Sequence, residues 1–290
     1  MRILLQLLIA GFSLGSFYAL IAMGFSIIFG VTHAFNLAHG EMILLSGYLA
    51  YILHKSFSLP FLATLPICMT CLALAAILLH GLLRKLKEPF ELNTLVVTFG
   101  LALLLQNALL WAYSADYRLI PSRDTDLIQL ANLDLTITKS QGLLIALSLL
   151  ATGIVHLILR KTFLGKALRA TMQDREAAAL AGIDVKSMNR IAFALGGLLI
   201  GLAGPLFGRT TYLYPAGGTE ATLIAVIITI FAGIGRTRSI LVGGWFLGMV
   251  ESTTAFALGS NWREGVSALL LIALLIWKPR GIFSDASEPS

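Results

Sequence analysis

The chain has 290 residues, of which 57% are hydrophobic and only 12% are charged. Soluble domains carry about 25% charged residues, so this composition excludes an ordinary soluble domain of this size. The net charge of +6 comes from basic residues that border apolar runs. This placement favours anionic lipid headgroups, rather than nucleic acid, as the counter-charge.

Long apolar runs divide the chain into nine candidate membrane spans. A run of about 20 apolar residues crosses the hydrocarbon layer, and it must be helical there because its backbone groups have to bond within the segment. The runs lack the apolar–polar alternation of a membrane β-barrel. The second span can be partly re-entrant and the last is short, so the predicted number of spans is about 8–10. We predict an all-α, polytopic bundle that forms one domain, 1–290. The first apolar run is predicted to be retained as a span. The nine are 3–30, 38–54, 60–83, 92–114, 141–159, 191–208, 219–235, 239–258 and 262–277.

The basic residues predict an orientation, because loops rich in Lys and Arg stay in the cytoplasm. Fourteen of the 21 basic residues fall on one side of the nine-span map. They lie in 84–91, 160–190, 236–238 and the C-terminus, which we therefore predict to be cytoplasmic. The longest loop on the other side, 115–140, has four Asp against three basic residues and is predicted to be extracytoplasmic, like the N-terminus.

Small residues indicate how the helices pack. Glycine pairs four residues apart let helix backbones approach closely, whereas Pro205 predicts a kink or break in the sixth span. Cys68 and Cys71 are interpreted as small apolar residues on a helix face, since no nearby Cys or His completes a metal site. The glycine pairs are Gly11–Gly15, Gly197–Gly201, Gly204–Gly208 and Gly244–Gly248.

A polar stretch, residues 32–41, lies between the first two apolar runs. Polar groups at membrane depth are costly and usually face the bundle interior or water. The functional interpretation is a lining or gate of a translocation path, formed by Asn36, His39, Gly40 and Glu41. An ordinary turn in which Asn36 caps the following helix is an equal alternative. A metal site that adds His33 is disfavoured because nothing fixes its geometry, and we predict no metal or cofactor.

A second polar segment, residues 160–190, is too polar to span and too patterned for a random loop. Thr162 is placed to cap a short helix that runs to about Met172; Asp174 is placed to cap a second, and Gly182 to end it. An alanine-rich face lets such a helix seat in a groove of another protein, with Arg169, Arg175 and Glu176 at the rim. An amphipathic helix resting on lipid is the alternative, although the bulky apolar face typical of such helices is missing.

Five motifs stand out along the chain, at residues 15–24, 35–42, 165–183, 193–204 and 277–283. In matching order, they resemble the permease subunits of branched-chain amino acid importers of the ATP-binding-cassette (ABC) class. The likeness is closest to the first of the two related permeases in those systems, with urea and amide permeases as near relatives. The third motif resembles the family's E-A-A loop.

The resemblance implies an ABC importer permease fold, and an E-A-A loop that forms a coupling helix docking into a cytoplasmic ATPase. It also implies a second homologous permease, two ATPase subunits, an extracytoplasmic solute-binding protein and a bacterial inner-membrane location. The sequence contains no G-x-x-x-x-G-K-[ST] motif, so ATP hydrolysis is expected on the partners and the chain itself is not predicted to be an enzyme. The docking residues would be Arg169, Asp174, Glu176, Ala177, Gly182 and Ile183.

One stretch departs from the family pattern and leaves the transported solute open. The family carries a Lys-Ala-Phe-type stretch where this chain has Glu220-Ala221-Thr222-Leu223. Branched-chain amino acids or similar small polar solutes are expected, with urea or short amides as the alternative. An ion-coupled transporter using Glu220 or Glu251 is less favoured, and the five scattered histidines argue against a membrane-embedded enzyme.

Overall fold

All nine predicted spans are helices in the computed structural model, which describes residues 2–121, 127–130 and 135–277. Six of these helices are long and apolar enough to cross a membrane: α1, α3, α4, α5, α8 and α10. The shorter α2, α9 and α11 complete the nine, and α6 and α7 lie in the predicted cytoplasmic loop. The helices are α1 Arg2–Thr32, α2 His39–Ser56, α3 Phe61–Leu83, α4 Phe90–Tyr113, α5 Lys139–Lys161, α6 Phe163–Gln173, α7 Arg175–Leu180, α8 Val185–Thr210, α9 Gly218–Ala232, α10 Thr237–Ala257 and α11 Arg263–Trp277.

The core is built around α1 and α8. In the most apolar 18-residue stretch of α1, 89% of the residues are buried, whereas the corresponding figure for α4 is 11%. Helix α4 therefore presents its side chains outward. Helix α1 is enclosed by α5, α8, α9 and α10. A Cβ built on Gly15 would lie 2.6 Å from the Cα of Trp245 in α10. A Cβ on Gly201 would lie 2.6 Å from the carbonyl oxygen of Cys68 in α3. The paired glycines therefore set direct backbone contact between helices, as predicted, except Gly208, whose nearest contacts are the side chains of Leu213 and Ile120.

Pro205 does not break α8, contrary to one of the outcomes expected from the sequence. A proline inside a helix removes the hydrogen bond to the carbonyl four residues earlier, which here belongs to Gly201. The Ser46 hydroxyl of α2 donates to that carbonyl oxygen at 3.0 Å. A neighbouring helix thus satisfies the freed backbone group, and α8 runs uninterrupted from Val185 to Thr210.

The 115–140 loop contains a short pair of antiparallel strands that the sequence did not predict. Strands β1 Leu127–Leu130 and β2 Leu135–Thr138 pair with Leu127 opposite Thr138. The rest of this loop is described only in part, and the expected motif at 277–283 and the predicted cytoplasmic tail lie outside the described residues beyond Trp277. Cys68 is buried and Cys71 exposed, and both are free thiols. The fold class, an all-α bundle, is as predicted.

Candidate functional site

Two segments bring the predicted site residues together: the α1–α2 junction, residues 33–41, and the α6–α7 connection, residues 162–184. In the junction, the chain leaves the end of α1 and runs back alongside it. His39 Nε2 donates to the carbonyl oxygen of Ile21 at 3.0 Å. Ile21 lies eleven residues before Thr32, the end of α1, which corresponds to roughly 16 Å along a helix. Helix α2 therefore starts deep inside the bundle.

Two threonine hydroxyls hold this irregular segment. Thr98 Oγ1 of α4 accepts from the Leu37 amide at 3.1 Å and lies 3.0 Å from the carbonyl oxygen of Phe35, to which it is placed to donate. Thr222 Oγ1 of α9 accepts from the Gly40 amide at 2.8 Å. Non-helical backbone at membrane depth is tolerated only where protein or a water-filled cavity surrounds it. The junction meets this condition because neighbouring helices supply its hydrogen bonds.

The proposed capping role of Asn36 is wrong, because Ala38 occupies the N-cap position of α2 and makes no side-chain capping bond. Asn36 instead lies two residues earlier, where its Oδ1 accepts from the Ala38 amide at 3.0 Å. Asn36 and His39 are both buried. Asn36 Nδ2 and His39 Nδ1 have no hydrogen-bond partner among the described residues. The junction therefore contains polar atoms inside the bundle that make no hydrogen bond to the described residues.

Glu41 lies where the N-termini of α2 and α9 meet. Its side chain is buried, and neither carboxylate oxygen has a hydrogen-bond partner in the part of the chain that the structure describes. A Cβ on Gly218, the first residue of α9, would collide with this carboxylate, and a Cβ on Gly40 would collide with the Gly218 carbonyl. Helix N-termini carry partial positive charge, so the two helix starts provide a favourable field for the carboxylate. Interrupted helices whose N-termini meet inside a bundle are typical of transporter substrate paths.

The α6–α7 connection folds as the sequence predicted. Thr162 Oγ1 accepts from the Gly165 amide at 3.0 Å and caps α6, and Asp174 Oδ1 accepts from the amides of Glu176 and Ala177, both at 2.9 Å, and caps α7. At the other end, Gly182 has a φ of +84°, a left-handed conformation that favours glycine. The amides of Gly182 and Ile183 bond to carbonyls of the last turn, which closes a Schellman motif.

Five of the six predicted docking residues are exposed, namely Arg169, Asp174, Glu176, Ala177 and Gly182, whereas Ile183 is half-buried. The sequence reasoning missed two bulky apolar side chains in this connection. Leu180 is 91% exposed and Phe163 is 85% exposed. The exposure of Leu180 could have been predicted from the sequence. Leu180 is an apolar residue at the end of a short helix, and the sequence predicted caps at both ends of that helix. A protruding leucine beside small alanines is a suitable knob for a groove on a partner protein.

Arg175 connects the two segments. Its Nη1 donates to the carbonyl oxygen of Thr32, the last residue of α1, at 3.1 Å. With the Asn189 amide oriented to satisfy both of its ends, Asn189 Oδ1 accepts from Arg175 Nη2 at 3.0 Å. Burial lowers the pKa of Arg175, although a guanidinium stays protonated. Helix α7 is thereby tied to the point where the chain enters the α1–α2 junction.

A family model described as branched-chain amino acid transport system, permease component, matches residues 7–275. The chain belongs to this family. It is 27% identical to the high-affinity branched-chain amino acid transport system permease protein BraD of Pseudomonas aeruginosa, over 96% of this chain and 95% of that protein. It is 26% identical to LivH of Escherichia coli, a permease protein of the same description, over 96% of this chain and 94% of that protein. The solved structure titled PsaBC from Streptococcus pneumoniae in complex with Fab shares the fold, with a TM-score of 0.55 and 12% identity over 98% of this chain and 94% of that chain.

Family membership identifies the chain as a multi-pass permease component of an ABC importer. The matched range includes both the α1–α2 junction and the α6–α7 connection, and it ends before the motif at 277–283.

Glu251, one of the two carboxylates considered for ion coupling, accepts hydrogen bonds from other helices of this permease. Tyr18 Oη and Ser267 Oγ each donate to it at 2.5 Å, and Arg263 Nη2 donates at 3.3 Å. Within the described residues, no group of three or more His, Cys, Asp or Glu is placed to hold a metal ion.

Proposed function

We propose that this permease passes branched-chain amino acids into the cytoplasm of a bacterium, driven by ATPase subunits that dock on the α6–α7 connection. It sits in the inner membrane beside a second, homologous permease, with two ATPases on the cytoplasmic side and a solute-binding protein outside. Its own residues perform no ATP chemistry. The relatives are branched-chain amino acid permeases by description, which supports the substrate class.

The observation that carries the proposal is the link from an exposed, capped helix to the interior of the bundle. Helix α7 presents Ala177 and Leu180 outward, and Arg175 at its first position holds the end of α1. A movement of α7 with a bound partner would therefore pull on the entry to the α1–α2 junction. There, Asn36, His39, Gly40 and Glu41 form a buried polar stretch suited to a gate on the path.

The docking role is tested by replacing Ala177 with tryptophan, because a bulky side chain on an exposed surface blocks a close-fitting partner without disturbing the spans. We expect co-purification of the ATPase subunits with the tagged permease to fall by at least about tenfold, as for loss of a central interface position. Ala115→Trp is the matched control, since Ala115 is also exposed but lies in the 115–140 loop. Equal ATPase recovery with both variants would refute the docking assignment.

The substrate class is tested with the complete importer in proteoliposomes supplied with ATP. Radiolabelled leucine, isoleucine and valine should accumulate when the matching binding protein is present. Urea and acetamide, the solutes of the alternative class, should not. Accumulation of urea without leucine would replace the amino-acid assignment by the amide one, while leaving the coupling role of α6–α7 intact.

A further inference from the structure

A cavity of about 280 Å³ lies between α1, α2, α8 and α9, next to the start of α11. Small-molecule sites span roughly 300–1,000 Å³, so this volume suits a small metabolite and excludes a peptide. Most of its wall is apolar, and a few polar groups converge on it, which is the composition of a binding pocket rather than of a packing defect. The residues that matter here are Ile43, Phe207, Tyr214, Glu220, Ile224 and Arg263.

Arg263 supplies the positive charge of the cavity, and the buried Glu251 fixes its position. Arg263 Nη2 bonds to Glu251 at 3.3 Å, while the Arg263 side chain is 34% exposed and Glu251 only 2%. Arg263 Nε is buried and has no hydrogen-bond partner among the described residues. Since a guanidinium has five N–H donors in a fixed fork, the bond to Glu251 orients it and leaves donors for a carboxylate ligand.

Glu220 supplies the negative charge from the first helical turn of α9. The Tyr214 hydroxyl donates to Glu220 Oε2 at 3.2 Å, which holds the carboxylate at the wall of the cavity. Glu220 is half-buried, and an ionisable side chain that faces the interior of a transmembrane bundle indicates a functional site by default. Glu220 also opens the stretch in which this chain departs from the Lys-Ala-Phe-type pattern of its family.

We propose that this cavity binds an amino-acid zwitterion with an aliphatic side chain during its passage through the permease. Arg263 binds the α-carboxylate and Glu220 binds the α-ammonium group. Ile43, Phe207 and Ile224 surround the branched side chain. The inference deepens the proposed function, on which it rests, by assigning a specificity site to this chain itself.

The two opposite charges also explain which solutes the cavity should reject. Urea or a short amide lacks the full charges that would pair with Arg263 and Glu220. Such a solute would displace the water molecules that are bonded to Arg263 and Glu220. It could not replace all the hydrogen bonds that those water molecules make, so its affinity would be low. A neutral isostere of leucine should therefore bind more weakly than leucine itself.

The first experiment measures uptake by the complete importer carrying Glu220→Gln. The amide keeps the shape of the side chain and still accepts from Tyr214, so the change removes mainly the negative charge. We expect leucine uptake at sub-saturating concentration to fall by about tenfold or more, in the range found for the loss of one partner of a close charge pair. Glu91→Gln, at an exposed glutamate in the first turn of α4, is the matched control and should transport like the unmodified importer.

The second experiment reads the cavity directly through a thiol placed at Ala221, which lines it. Ala221→Cys is made together with Cys71→Ser, which removes the exposed native thiol, and is labelled in the assembled importer with a small thiol reagent. A ligand that shields the thiol slows labelling about threefold when its concentration is twice its dissociation constant, because about one third of the sites are then free. Titrated leucine should reach this protection, and isobutyramide and urea should not.

Leucine uptake by the unmodified importer separates the two levels of inference. If that importer transports leucine, but Glu220→Gln has no effect and leucine gives no protection at position 221, the cavity assignment is overturned and the proposed function stands. Equal protection by isobutyramide would overturn the zwitterion as ligand. An assembled importer that transports no leucine would overturn the proposed function and the cavity assignment together.

Discussion

Asn36 shows how a single buried amide organises the α1–α2 junction, because its Oδ1 satisfies the Ala38 amide just before α2 begins. Asn36→Leu leaves that amide unpaired in the bundle interior, at a cost of about 1–3 kcal/mol. We expect leucine uptake to fall several-fold while the subunits still assemble, as measured by transport and co-purification. Asn107→Leu, at an exposed asparagine of α4, is the control. Unchanged uptake in Asn36→Leu would reduce the junction to an ordinary connection.

Gly40 is needed for the contact between the starts of α2 and α9. A methyl group there would collide with the Gly218 carbonyl, which is backbone and cannot move aside cheaply. Gly40→Ala should destabilise the permease by about 1–3 kcal/mol, the usual range for overpacking. Gly100→Ala is the matched control, since its Cβ would meet nothing within 4 Å and alanine favours the helix. Thermal unfolding in detergent measures both, and equal midpoints would contradict the close contact.

At the level of elements, Arg175 is a positioning residue that joins α7 to α1. Lysine preserves the charge but lacks the fork that reaches both Thr32 and Asn189. We expect Arg175→Lys to keep the ATPases bound while lowering the amount of leucine transported per ATP hydrolysed by several-fold. Both quantities are measured in the same proteoliposomes.

The control for this prediction is Arg190→Lys, because Arg190 is exposed near the start of α8. That substitution should leave the ratio of transport to hydrolysis as it is in the unmodified importer. A normal ratio in Arg175→Lys would mean that α7 transmits movement by another route. Loss of ATPase binding in the same variant would make Arg175 a docking residue instead.

The elements that could be predicted from the sequence are those whose causes are local. The spans follow from apolar runs, and the ends of α6 and α7 follow from Thr162, Asp174 and Gly182, each of which acts on residues within one turn. The return of the chain along α1 could not be predicted, because it depends on Thr98 and Thr222, which lie far away in the sequence.

The same limit applies to the break considered at Pro205 and to the cap considered at Asn36. The unbroken α8 depends on a hydroxyl from Ser46, 155 residues before Gly201, so Pro205 alone could not indicate the outcome. The N-cap of α2 falls on Ala38 because the path of the junction is set by α4 and α9, and not by the preference of Asn36 for capping positions. Of the candidate site, the exposed and capped α6–α7 connection was predictable, whereas the cavity beside Glu220 was not, since five elements build it.

At the scale of the whole molecule, α1 is the element that touches every functional region. The end of α1 that the charges predict to be cytoplasmic is held by Arg175. Its middle is bonded by His39 at Ile21, and Tyr18, slightly further from that end, reaches the network around Glu251 and borders the cavity. Close glycine contacts fix α1 against α10. In the importer proposed above, a movement of docked ATPases would therefore reach the proposed cavity along this one continuous helix.

The bond from Tyr18 to Glu251 ties α1 to α10, and through Ser267 and Arg263 to α11. Tyr18→Phe removes one donor from a carboxylate that is only 2% exposed, so part of that charge is left unpaired. We expect the free energy of unfolding to fall by about 1–3 kcal/mol, measured as a lower thermal midpoint of the purified importer. Tyr212→Phe, at a tyrosine that is 57% exposed, should leave the midpoint unchanged. An equal midpoint in Tyr18→Phe and the unmodified importer would contradict this role of the bond. If Glu251 were instead a coupling site for protons, a proton gradient without ATP would drive uptake. We do not expect this, because Tyr18, Ser267 and Arg263 hold the carboxylate within the bundle.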